Sequence, residues 1–125
     1  MLAAEAGDAA RASSLFAESM ALFQEMGDKP GITATHENQG HLALLSEDFG
    51  AARAAYERGL TMSYDMGNVN RSIACNLRHR GLAEMSQEDE IAGRASFLAS
   101  RDLFIEMGDV VSITTLDHLL SSVPS

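Results

Sequence analysis

The sequence predicts an all-α fold, a right-handed α–α superhelix of about six antiparallel helices. Three observations carry that expectation. No stretch alternates apolar and polar residues with period two, so strands are not expected. Alanine is abundant and only two prolines occur in 125 residues, which favours helix and close helix packing. The same punctuation also returns about every 20 residues along the whole chain.

The punctuation is of two kinds. Met26-Gly27-Asp28, Met66-Gly67-Asn68 and Met107-Gly108-Asp109 lie 40 and 41 residues apart. A glycine just past a helix end adopts the left-handed conformation that closes the helix. The Asp or Asn after it can cap the next helix by accepting an orphan backbone N–H. A second mark, Gly7-Asp8, Glu47-Asp48 and Glu88-Asp89, stands about 20 residues before each of these. There too the acidic residue can cap the helix after it.

The elements run in order. Helix 9–26 begins after Asp8 and closes at Gly27. Helix 29–46 starts after Asp28, and helix 49–66 runs from Asp48 to Gly67. Helix 69–87 comes after Asn68, helix 90–107 after Asp89, and helix 110–122 after Asp109. They alternate between two types, a first (A) and a second (B) helix of each unit, and 9–26 is of the B type.

The register repeats inside the units. In the B helices Ala12, Ala52 and Gly93 are followed four residues on by Phe16, Tyr56 and Phe97, and three further by Ser19, Gly59 and Ser100. Small, aromatic and small side chains at i, i+4 and i+7 share one helix face. In the A helices Ile32, Ile73 and Ile113 are followed eight residues later by Gly40, Gly81 and Ser121. A glycine inside a helix costs about 1 kcal/mol relative to alanine. Its return at one register position points to a tight helix crossing.

This pattern resembles the tetratricopeptide repeat: a glycine late in the first helix, then small, aromatic and small in the second. The likeness covers almost the whole chain. The unit is longer than the usual repeat of roughly 34 residues. His36 or Leu77 stands where the family has a large residue, Gln39 or Arg80 where it has leucine, and Gly-Asp or Gly-Asn where it closes on proline. The helix ends Leu22-Phe23-Gln24-Glu25-Met26-Gly27-Asp28 and Leu103-Phe104-Ile105-Glu106-Met107-Gly108-Asp109 are similar to those in the C-terminal repeat arrays of bacterial transcription regulators of the MalT, LuxR and antibiotic-regulatory classes.

The resemblance implies a protein-interaction scaffold without enzymatic activity, working in transcription regulation or signalling. It also implies where a partner binds. The A-helix positions that line the concave groove of such arrays are here Ala34, Glu37, His41 and Leu44, then Cys75, Arg78, Leu82 and Met85, then Thr115, His118 and Ser122. This mixed strip suits a helix or an extended peptide. It lacks the Lys/Asn/Arg set with which chaperone-binding repeats hold a terminal carboxylate. A sensor that takes a peptide or small molecule in the groove is the alternative. Stacking equivalent positions also predicts an ion pair between Glu37 and Arg78.

Composition narrows the classes further. The net charge is −9, divided as −5 over residues 1–62 and −4 over 63–125. An acidic, evenly charged surface repels phosphate backbones and anionic membranes, so no direct nucleic-acid or membrane partner is expected. No apolar run approaches the roughly 18 residues of a membrane span, and the N-terminus lacks a signal-peptide layout. The lone cysteine, Cys75, allows no internal disulfide and fits a reducing cytoplasm. No cofactor or metal is expected. His36 and His41 are five apart, so they point about 140° from each other on a helix, and Glu37 with His41 has no third ligand. Cys75, three residues before Arg78, is a candidate for a lowered thiol pKa but reads better as a small packing residue.

The two ends carry a further expectation. Helix 9–26 lacks an A-type partner, and residues 2–6 read as the tail of one. Helix 110–122 has no B helix after it. The chain is therefore expected to be part of a longer array, or to associate through its ends. Leu15, Phe16, Met20, Leu22 and Phe23 make helix 9–26 the better candidate for a weak homodimer contact.

Overall fold

The computed structural model describes residues 3–67 and 70–123, with side chains from Gly7 onward. Six helices occur among the described residues, and no strand: α1 (Ala3–Met26), α2 (Lys29–Leu45), α3 (Phe49–Met66), α4 (Asn70–Ser86), α5 (Glu90–Met107) and α6 (Val110–Ser121). Each packs against its neighbours in chain order. The predicted Asn68 cap lies outside the described residues.

Four junctions share one hydrogen-bonding scheme. After α1, the Gly27 N–H donates to Gln24 O and the Asp28 N–H to Phe23 O. Asp48, Asp89 and Asp109 donate in the same way to Ala43, Glu84 and Phe104, each five residues back. This is the Schellman closure, in which a left-handed residue lets two otherwise orphaned carbonyls be satisfied. The same aspartate then turns its side chain forward. Asp28, Asp48, Asp89 and Asp109 accept from the N–H groups of Gly31, Ala51, Ala92 and Ser112. One residue thus closes one helix and caps the next. The left-handed place is held by Gly27 and Gly108, but by Glu47 and Glu88 at the other two junctions, with φ of 58° and 64°. Nothing in their side-chain chemistry announced that.

At Gly7-Asp8 the expected break is absent, because α1 runs through it from Ala3. Gly7 is exposed and meets no neighbouring helix. Without a packed partner nothing turns the chain there, and the flanking alanines favour continued helix.

The internal glycines are where helices touch. A Cβ on Gly40 would stand 2.7 Å from the Tyr56 ring, and one on Gly81 2.6 Å from the Phe97 ring. On Gly81 it would also lie 3.3 Å from the carbonyl oxygen of Gly93, and one on Gly93 3.3 Å from that of Gly81, so α4 and α5 approach backbone to backbone. Tyr56 and Phe97 are buried in these sockets. Phe97, Phe104, Leu116, Ala74 and Val123 form the core of α4–α6. Tyr56, Ala52 and Ala83 form that of α2–α4.

A buried charge ties the middle helices. The Glu84 side chain is 3% exposed and receives Arg53 at 2.9 Å, Arg80 at 3.8 Å and the Ser96 hydroxyl. Arg53 further donates to Gln87 at 3.2 Å and Asp89 at 3.3 Å. A buried carboxylate so satisfied persists, whereas an unpaired one would be strongly destabilising. None of the described α1 side chains is fully buried.

The socket geometry yields a test. Gly81→Leu drives a branched side chain into Phe97 and is expected to destabilise by about 2 kcal/mol or more. Urea denaturation measures it, and an unchanged midpoint would show that the α4–α5 crossing tolerates a side chain.

Candidate functional site

The strip that the repeat register assigns to the groove divides into two settings. Ala34, Thr115 and His118 are exposed. Glu37, His41, Leu44, Cys75, Arg78, Leu82 and Met85 are half-buried. Cys75, Leu82 and Met85 pack against the α4–α6 core, with the Met85 sulfur over Gly93 on α5, and Leu44 packs against the α2–α4 core.

Glu37 and Arg78 do not pair. Glu37 Oε1 instead accepts from Asn76 Nδ2 at 2.8 Å and Ser72 Oγ at 3.1 Å. Ser72 Oγ lies 2.9 Å from Ser63 Oγ, so α2, α3 and α4 share one polar chain. Arg78 lies over the Phe104 ring, 6.0 Å from its centroid. The expectation stacked equivalent residues, but Asn76 and Ser72 are nearer donors on α4 and complete the carboxylate first. Asn76 is fully buried, and its Oδ1 lacks a hydrogen-bond donor because it faces the Gly59 backbone. Beside this chain Pro30, Thr33, Ala34, Glu37, Met66 and Ser72 bound an open hollow of about 230 Å³.

His41 belongs to an aromatic cluster. Its Nδ1 is 2.7 Å from the Tyr56 hydroxyl. The His79 ring lies 4.7 Å from the His41 centroid, edge-on, and stacks on Tyr56 at 5.3 Å. Burial, with Glu37 adding to it, pushes the Tyr56 phenol up, so the hydroxyl keeps its proton. Burial, then the proximity of His41 and Arg78, drives His79 down to about 4. His79 is therefore neutral at physiological pH.

Sequence reasoning missed His79, Tyr56, Ser72 and Asn76 as parts of this strip. His79 could have been found, since it lies four residues after Cys75 and shares its helix face. The contact with His41 could not, because the two histidines hold different register positions.

The remaining chemistry is limited. Burial raises the Cys75 thiol pKa more than Arg78 lowers it, so the thiol is not activated. His36 bonds Gln39 at 3.2 Å while His41 turns to Tyr56, so the two histidines diverge. Among the described residues no three His, Cys, Asp or Glu side chains converge to hold a metal ion. No described helix is long and apolar enough to cross a membrane. Comparison with protein-family models, curated proteins and solved structures finds no match to this chain.

The half-buried His79 makes stability depend on pH. The His79 pKa is lowered on folding from 6.5 to about 4, so the unfolded chain binds the proton more tightly. Its contribution is fully present above pH 6.5 and is lost as pH falls from 6.5 to about 4. That loss is on the order of 3 kcal/mol. His79→Gln is expected to flatten this part of the stability–pH curve relative to the parent. Parallel curves would show that His79 titrates normally in the fold.

Proposed function

We propose that this chain is a protein-interaction scaffold of the tetratricopeptide type, a right-handed superhelical array whose A helices α2, α4 and α6 line a peptide-binding groove. The observation that carries the reading is the repeated unit itself. Closure and cap at Asp48 and Asp89, and the glycine–aromatic socket at Gly40 and Gly81, each recur 41 residues apart. Units that bury their faces only by stacking generate extended surfaces, and extended surfaces suit polypeptide partners. The groove strip offers Glu37, His41 and Arg78 beside Ala34 and Leu44, and the hollow at Glu37 is open and small. That favours a scaffold over a sensor for an enclosed small molecule. The resemblance of the helix-end phrase to those of bacterial transcription regulators supports a place in such a regulator. A neighbouring DNA-binding or nucleotide-binding domain in the full gene would test that placement.

The groove is tested with a displayed peptide library. Peptides selected on the parent chain are expected to lose binding to Ala34→Arg and to His118→Glu, two exposed changes on α2 and α6. Peptides that bind both variants as well as the parent would place the binding surface elsewhere.

The ends bear on assembly. Phe16, Met20 and Phe23 turn partly inward, with Phe23 against Gly31. Leu15, Leu22 and Met26 are left 54%, 58% and 66% exposed on α1. An apolar stripe in water is unfavourable by about 25 cal/mol for each Å² that a contact could cover. Weak self-association through α1 is therefore expected, seen as a concentration-dependent sedimentation coefficient and abolished by Leu15→Glu with Leu22→Glu. A parent chain that stays monomeric at high concentration refutes it.

A further inference from the structure

The seam between α3 and α4 is filled by Arg53, whose guanidinium reaches Glu84, Gln87 and Asp89. The repeat register carries the same seam to α1 and α2. There Ser13 replaces Arg53, and Ala43, Ser46 and Asp48 replace Glu84, Gln87 and Asp89. The long side chain and its deepest partner are lost together. What remains is a cleft of about 400 Å³ whose walls include Ser13, Ala43, Ser46 and Asp48. A second hollow of about 600 Å³ adjoins it and shares Ala9, Leu42 and Ser46 with it. None of these residues belongs to the groove strip.

We infer that this cleft is a docking site for an arginine side chain of a partner protein, entering where Arg53 lies in the next repeat. Three features select that occupant. The fold already houses an arginine in the register-equivalent seam. Asp48 is disposed like Asp89: each uses Oδ1 to cap its helix, through the Ala51 and Ala92 N–H groups. Asp89 gives its Oδ2 to Arg53, whereas no side chain among the described residues bonds Asp48 Oδ2. Finally Ala9, Ala10, Ala43, Ala51 and Ala55 leave an apolar corridor for an aliphatic stem. A guanidinium presents a planar fork of donors to a carboxylate on such a stem.

On the cleft lining Asp48 is accompanied by Arg58, while Glu47 and Asp8 lie on the adjoining hollow, Asp8 with Arg11 at 3.9 Å. Without the Glu84 equivalent the guanidinium stops near the mouth, at Asp48. The site therefore captures and releases an arginine, whereas the Arg53 seam locks one in place.

The test is a nuclear magnetic resonance titration of the whole chain with N-acetyl-arginine amide, and in parallel with the uncharged citrulline analogue. Arginine is expected to shift the amides of Ala9, Ser13, Leu42 and Ser46 saturably at millimolar concentration, and citrulline to leave them in place. Asp48→Asn keeps a capping oxygen and should weaken the arginine effect about tenfold, the loss of one charge-assisted hydrogen bond. Ser13→Arg supplies the side chain in cis. It should raise the thermal midpoint by about 3 °C and block the titration, and Asp48→Asn should remove that gain. Equal shifts with both probes, silence of the cleft amides, or a Ser13→Arg midpoint no higher than the parent's would each overturn the assignment. Any of those results leaves the groove untouched, because the groove reading rests on other residues.

Discussion

The packing depends on places where a side chain is missing. Gly40 and Gly81 allow the buried Tyr56 and Phe97 rings to lie against helix backbone. A glycine inside a helix weakens that helix on its own. Burying a large aromatic ring against it returns more than it costs. Each socket is thus a local sacrifice that only the packed array makes favourable. This is why the pattern returns at the same register position in α2 and α4.

The junctions make that spacing possible. In each described aspartate junction the backbone N–H closes one helix and the carboxylate opens the next. The turn is therefore as short as the hydrogen bonding allows, and each helix packs on the next. Glu47 and Glu88 accept a left-handed backbone to preserve this arrangement, a strain of order 1 kcal/mol or more held by the surrounding bonds. With the turns so constrained, equivalent helix pairs repeat a contact, as at Gly40 with Tyr56 and Gly81 with Phe97. The buried aromatic positions, the Arg53 clasp and the α1–α2 cleft all stem from that one regularity.

The same regularity governs how much could be read from the chain. Helix positions and socket residues were legible because each is a local or periodic signal: Met-Gly-Asp, a small–aromatic–small face, a glycine eight residues after an isoleucine. The α1 start was not, since Gly7-Asp8 carries the letters of a junction without the packed helix that makes one. The candidate groove was legible only as a set of positions. Its contacts depend on side-chain reach: Glu37 goes to Asn76 and Ser72 instead of Arg78, and His41 finds His79 across the register. Polar groups satisfy themselves with the nearest suitable partner, and a repeat alignment orders residues by height in the stack without ranking those partners.

The structure also grades from one end to the other, and the grading ties stability to interaction. α4 and α5 meet backbone to backbone, and Glu84 draws α3, α4 and α5 together through a buried charge. At α1 neither device is present. Ser13 and Ala43 stand where Arg53 and Glu84 would be, and no described α1 side chain is fully buried. A helix held by few buried contacts can shift at little free-energy cost. The exposed leucines and the open seam both lie on α1. The segment that contributes least to the core keeps both its outer face and its inner cleft accessible to another chain.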